Sequence, residues 1–180
     1  IHLEADLRAF VTGRPGVLHF VMDPEASGSF VAHDLDRDWV FMHMVDGDAV
    51  TEEDFDEATC LNLVRKAIGA DASMRLLHRG IWHMSAQVAE RVQEGRVFLA
   101  GDAAHRFPPT GGLGLNTGMQ DVHGLVWKLA AVESGWAGSE LLPTYGAERI
   151  PVAHNNTQQS LQNAIKMALI PQALETDEEP

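Results

Sequence analysis

Hydrophobic and polar positions alternate through three short runs near the start of the chain: VLHFVMD (Val17–Asp23), GSFVAHD (Gly28–Asp34) and DWVFMHMV (Asp38–Val45). Their β-branched and aromatic residues at a period of two suit half-buried strands. The turn-rich links PEAS and LDRD between them predict an antiparallel meander. The period then changes. Phe55, Ala58, Leu61, Val64 and Ile68 recur at helical spacing, which predicts an amphipathic helix over 52–68 lying on a sheet. Thr51 is the expected N-cap, Glu52, Glu53 and Asp54 complement the helix dipole, and Gly69 ends the element.

Periodicity is weaker from Met74 to about Val88, where one or two strands are expected. The turn QEGR follows, and then VFLAG (97–101), an unbroken apolar run of the kind a strand buried on both faces shows. Helical patterns occupy 115–132 and 140–166, the second broken or kinked near Pro143 and Pro151. No internal repeat is present. The expected class is therefore α/β of mixed α+β character. An antiparallel sheet with one helix (1–95) precedes a last strand and long helices (96–180).

Charge narrows the partners. Lys and Arg number 13 against 26 Asp and Glu, a formal net charge of −13. That balance argues against nucleic acid and anionic membrane surfaces. Part of it lies in the tail ETDEEP, read as a solvated end. The single cysteine, Cys60, permits no internal disulfide and reads as a packed thiol in preference to a nucleophile. Nothing points to an oxidising compartment, and a cytoplasmic location is expected. No apolar run approaches the roughly 18 residues of a membrane span. The opening IHLEADLRAF has neither Met nor the order of a signal peptide, so the chain is expected to be a portion of a longer one.

Most of the candidate chemistry lies in GDAAHRFPPTGGLGLN, residues 101–116. Gly101 lets the backbone turn and leaves Asp102 at the carboxyl end of the preceding strand, an edge at which open α/β sheets bind ligands. Asp102 there accepts from hydroxyls and would repel phosphate. Pro108 and Pro109 stiffen the approach, while Gly112 and Gly114 permit positive φ and close approach of the backbone to a flat ligand. Leu115 and Asn116 open the next helix, whose free N–H groups and dipole favour an anion or a ring carbonyl gaining negative charge. A dinucleotide fingerprint is excluded, because Thr117 stands where the third glycine would be. A ligand-free glycine-rich loop is the competing reading.

The stretch RVFLAGDAAHRFPPTGGLGLNTGMQDVHGLVWKLAAV resembles the second flavin-binding motif of the single-component flavoprotein aromatic hydroxylases, which share the para-hydroxybenzoate hydroxylase fold. The similarity extends to GVLHFVMDPEASGSFVAHD, MSAQVAERV and YGAERIPVAHNNTQQS, and most resembles the polyketide and phenol hydroxylase branch. The resemblance implies that Asp102 bonds the ribityl chain of FAD and that Pro109 lies along the isoalloxazine. The backbone at Gly101, Gly112, Gly114, Leu115 and Asn116 would complete the flavin contacts. It also implies NAD(P)H as reductant, O2 as co-substrate and an aromatic substrate hydroxylated under a sheet. Trp82, His83 and Met84, by residue type, are candidates to line its pocket, with Trp82 and Met84 taken as the substrate contacts. For Trp82, His83 and Met84 the competing reading is the core and edge of a sheet.

Two family features are absent from the sequence: the G-x-G-x-x-G turn for the ADP part of FAD and the D-G motif before the substrate domain. The N-terminal half of the FAD domain is thus expected to be missing, and VFLAG to expose a hydrophobic edge. Gly124 stands where the family usually has Asn. The nine histidines include no H-E-x-x-H, and His78 and His83 stand alone, so no metal site is expected. His105 lies inside the motif, either near the flavin or bonded to backbone. No general base is assigned. The expected function is FAD-dependent aromatic hydroxylation by a parent protein, with this portion inactive alone. The alternative is a non-catalytic segment that needs a second chain or segment to hold FAD.

Overall fold

The structure is a computed structural model describing residues 1–14, 16–45 and 50–175. From residue 176 on, the acidic tail lies outside the described residues. The chain forms two compact units, Ile1–Trp82 and His83–Pro180.

The first unit is a five-stranded antiparallel sheet in the order β2-β3-β4-β1-β5. Its strands are β1 (His2–Ala5), β2 (Leu18–Val21), β3 (Gly28–Asp34), β4 (Asp38–His43) and β5 (Met74–His78), with a single helical turn, α1 (Arg8–Val11), between β1 and β2. The expected meander β2-β3-β4 is present, but the sheet does not end at β4. The N-terminal strand pairs with β4 (Leu3 opposite Trp39) and with β5 (Leu3 opposite Leu76), so it is an interior strand. Four residues are too short for a periodic signal, and both partners are distant in sequence.

Inward positions follow the pleat. Leu3, Ala5, Phe30, Trp39 and Phe41 form the core with Leu7 and Val64. The Phe30 and Phe41 rings lie 4.4 Å apart between paired residues of β3 and β4.

The amphipathic helix begins later than the sequence indicates. Thr51 and Asp54 close a reciprocal capping box around a single 3-10 turn, Glu52–Asp54. The α-helix α2 (Glu57–Ile68) starts after Asp56, whose carboxylate accepts from the Thr59 N–H at 2.7 Å. Two capping side chains in tandem split the expected element. The buried face turns accordingly: Cys60 and Val64 are buried, Leu63, Ala67 and Ile68 pack against the core, and Ala58 is exposed. Gly69 ends α2 in the left-handed conformation, as the sequence predicts. Cys60 is a packed thiol, and burial pushes its pKa up.

In the second unit, β7 (Gln93–Glu94) and β8 (Val97–Phe98) form a hairpin across Gly95, and β6 (Gln87–Val88) pairs with β9 (His105–Arg106). The Ala89 N–H donates to the Ala104 carbonyl, so residues before 96 pack with this unit, whereas the sequence places a division at 95. The stretch Met74–Val88 holds only the strand β5 and the two residues of β6. The run at 97–101 is a strand over two residues, paired on one side, with Val97 65% exposed. It is not buried on both faces.

Two helices dominate this unit, α3 (Leu113–Glu133) and α4 (Thr144–Glu175). Pro143 precedes α4, where its missing N–H costs nothing. The helix runs through Pro151 without a break. Lys128 of α3, buried, donates to Thr144 Oγ1 at 2.7 Å and Glu148 Oε1 at 2.8 Å, tying α3 to the start of α4. Val92, Ala104 and Tyr145 form a small core, and the Tyr145 hydroxyl donates to the Leu99 carbonyl at 2.8 Å.

Candidate functional site

The turn after β8 is built from backbone conformations that only glycine adopts readily. Gly101 has φ +58°, and a Cβ on Gly118 would lie 3.3 Å from the Gly101 Cα. Small residues on both sides let the 3-10 turn Gly101–Ala103 sit directly against α3. Asp102, on that turn, is exposed.

Behind the turn lies a buried charged cluster. Asp121 of α3 accepts from the Gly101 N–H (3.1 Å), pairs with His105 Nε2 (2.6 Å) and accepts from Arg149 Nε of α4 (2.7 Å). Both carboxylate oxygens are used and the residue is 1% exposed. A carboxylate so enclosed persists only because each oxygen meets at least one donor. His105 is thus 5% exposed and turned inward to Asp121, stacked on Phe107. Its bond is to a side chain, neither to backbone nor outward.

The loop continues through buried Pro108 and exposed Pro109. The Gly112 N–H donates back to the Pro109 carbonyl at 3.0 Å. Gly112 is left-handed and precedes α3, two residues earlier than the sequence places the helix start. No side chain caps this end. Cβ atoms built on Gly112 or Gly114 would meet nothing within 4 Å, and Leu115 and Asn116 are exposed. An open backbone, uncapped N–H groups and an outward carboxylate are what a planar ligand with an acceptor edge and a polyol chain requires. The residues present therefore fit a flavin.

The structure thus brings Gly101, Asp102, Pro109, Gly112, Gly114, Leu115 and Asn116 into one continuous loop and helix end. Trp82 closes the first unit at 59% exposure and Met84 lies in the second at 45%, both on the surface. Among the described residues, no group of three or more His, Cys, Asp or Glu is arranged to hold a metal. No helix among them is long and apolar enough to cross a membrane.

Sequence reasoning missed Thr110, Asp121, Arg149 and Asn163, which hold the loop from behind. A signal was available, since Arg149, Ala153, Asn156, Ser160 and Asn163 fall on one face of α4 at helical spacing.

A sequence profile described as FAD binding domain matches residues 1–160. A putative polyketide hydroxylase of Streptomyces halstedii is 44% identical over 153 residues, covering 84% of this chain and 28% of the relative. The 2,4-dichlorophenol 6-monooxygenase of Cupriavidus pinatubonensis is 40% identical over 189 residues, covering 97% of this chain and 31% of the relative. The crystal structure of the flavin-dependent monooxygenase PieE with FAD and substrate matches at a TM-score of 0.87 and 33% identity. It covers 97% of this chain and 31% of that one. The chain therefore spans less than a third of these relatives' length. With the turn's geometry and a profile match over most of its length, the chain belongs to the FAD binding domain family.

Proposed function

We propose that this chain is part of a flavin-dependent monooxygenase that hydroxylates an aromatic compound of phenolic or polyketide type, using NAD(P)H and O2. The observation that carries the reading is the open turn with its outward Asp102 and the uncapped start of α3. When bound, FAD supplies the redox chemistry that transfers oxygen to the ring. The chain's own residues bind and orient it. Asp102 accepts from ribityl hydroxyls, Pro109 lies along the ring, and the backbone from Gly112 to Asn116 faces the electron-rich edge. Residues 1–95 supply the substrate-binding part, although 83–95 pack with the second unit, and 96–180 supply the FAD-binding part. Trp82 and Met84 each offer an exposed apolar side chain to an aromatic substrate. The working location is the cytoplasm, where a single buried thiol stays reduced.

A second reading, that the chain holds FAD firmly only together with another segment, is supported by α3. Its buried side carries Thr117, Asp121 and Lys128, with Ala131 the one apolar residue fully buried there. Its opposite side carries Leu115 (76% exposed), Met119 (62%), Val122 (51%) and Val126 (55%). This is the reverse of an ordinary surface helix, whose apolar stripe faces inward.

Titration of the chain with FAD, read by flavin fluorescence and absorption bands, tests the proposal. Ring-side contacts alone give weak binding, with Kd on the order of 100 µM. No change up to millimolar FAD would refute a flavin seat on this chain.

A further inference from the structure

Two consecutive positive-φ glycines, Gly111 (φ +131°) and Gly112 (φ +64°), lead into α3. Such a turn has many backbone states of similar energy, so its own sequence does not fix where the helix begins. Non-local bonds from α4 fix it. Thr110 Oγ1 donates to the Ser160 carbonyl at 2.6 Å, and Asn163 Nδ2 donates to the Thr110 carbonyl at 3.1 Å. Asn163 is itself oriented, because its Oδ1 accepts from Gln159 Nε2 at 2.9 Å. A Cβ on Gly111 would stand 3.2 Å from Asn163 Nδ2, so loop and side chain are in close contact. Two helical turns before Asn163, Asn156 Nδ2 donates to Thr117 Oγ1 at 2.9 Å, and that hydroxyl donates to the Leu113 carbonyl at 2.7 Å.

We propose that Asn163 is a positioning residue. It fixes the Thr110–Gly112 turn before any ligand arrives, and so presets the uncapped end of α3 toward the flavin ring. The inference rests on the reading of this turn as the flavin's seat. Its physical content is preorganisation: ordering the turn in advance removes a cost otherwise met at binding.

The test is amide hydrogen exchange by NMR on the chain, with N163A and N163D beside the wild type. N163D keeps the volume and the acceptor for Gln159 but loses the donor to Thr110. Loss of that bond accelerates exchange at the Gly112 N–H by about tenfold in both variants. The reference amides of Leu99 and Tyr145, hydrogen-bonded elsewhere in the unit, keep their rates. If N163D behaves as wild type, Asn163 acts through packing and the proposal fails. Acceleration at Gly112 that is matched at the reference amides reports general destabilisation and also overturns it.

FAD added to the wild type separates the clamp from the reading beneath it. Slowed exchange at 112–116, with an affinity at least fivefold weaker in both variants, supports the positioning role. Unchanged affinity in the variants overturns it. Absence of any FAD effect on wild-type exchange removes the flavin reading, and the positioning role falls with it even where the clamp is seen.

Discussion

The backbone N–H of Gly101 donates to the buried carboxylate of Asp121, twenty residues further along the chain, at 3.1 Å. The same oxygen pairs with His105, and the other accepts from Arg149. One side chain of α3 thereby sets the left-handed conformation that turns Asp102 outward. The exposed candidate ligand group is held in place by a buried one.

Asp121→Asn should cost about 3 kcal/mol or more, read from urea unfolding. An amide presents a donor where three donors converge, and it leaves Arg149 without its carboxylate. A loss under about 1 kcal/mol would mean that the cluster does not hold the turn.

Asp102→Ala separates binding from stability. The side chain is exposed, so unfolding free energy should change by less than about 0.5 kcal/mol. FAD affinity should fall roughly tenfold or more, the worth of a hydrogen bond to a charged acceptor. Equal FAD affinity in the variant would remove Asp102 from the flavin contacts.

Two glycines of α3 should respond in opposite directions to alanine. A Cβ on Gly124 reaches only the Arg149 Cδ, at an ordinary 3.9 Å, so Gly124→Ala should stabilise by about 0.5–1 kcal/mol. Gly118→Ala places its Cβ 3.3 Å from the backbone of Gly101, and neither side is flexible. A loss of about 1–3 kcal/mol is expected, with a shifted Gly101 amide resonance. Thermal unfolding of both variants checks the pair, and a destabilised G124A would contradict the packing seen here.

Tyr145 is the sole tyrosine of the chain, so tyrosinate absorbance reports it alone. Burial is the main cause that pushes its pKa from the ordinary 10.0 up to about 12, with the Asp121 charge adding to the rise. The folded state thus favours the neutral phenol. That stability is complete below pH 10 and is lost as pH rises through the folded value near 12. A titration midpoint near 10 in the folded chain would show that the ring is accessible. Tyr145→Phe should cost about 1–3 kcal/mol by orphaning the Leu99 carbonyl.

Where local chemistry is decisive, the chain announces its structure. The alternation in β2, β3 and β4, the Gly69 stop of α2 and the glycine–proline turn at 101–116 are legible because each depends on residues within a few positions. The resemblance to flavin hydroxylases is strongest in the same contiguous stretch, and the family profile matches residues 1–160 around it. Capping chemistry was legible too, but Thr51 and Asp56 compete for the same start, and only the folded backbone shows that each takes one.

Tertiary structure decided the rest. His2–Ala5 is an interior strand because distant partners flank it on both sides, a pairing that four residues do not encode. The face of α2 that is buried was chosen by the sheet beneath it, not by the strongest apolar repeat. Asp121, Arg149 and Asn163 look in sequence like ordinary polar helix residues. They matter because α3 and α4 bring them behind the turn, where a buried charge or an unfilled amide is costly unless paired. Sequence by itself thus determined which residues are the candidates to face a ligand, since backbone freedom and an exposed charge are local properties. Which residues hold them there depended on packing between helices, since those bonds join positions up to 53 residues apart.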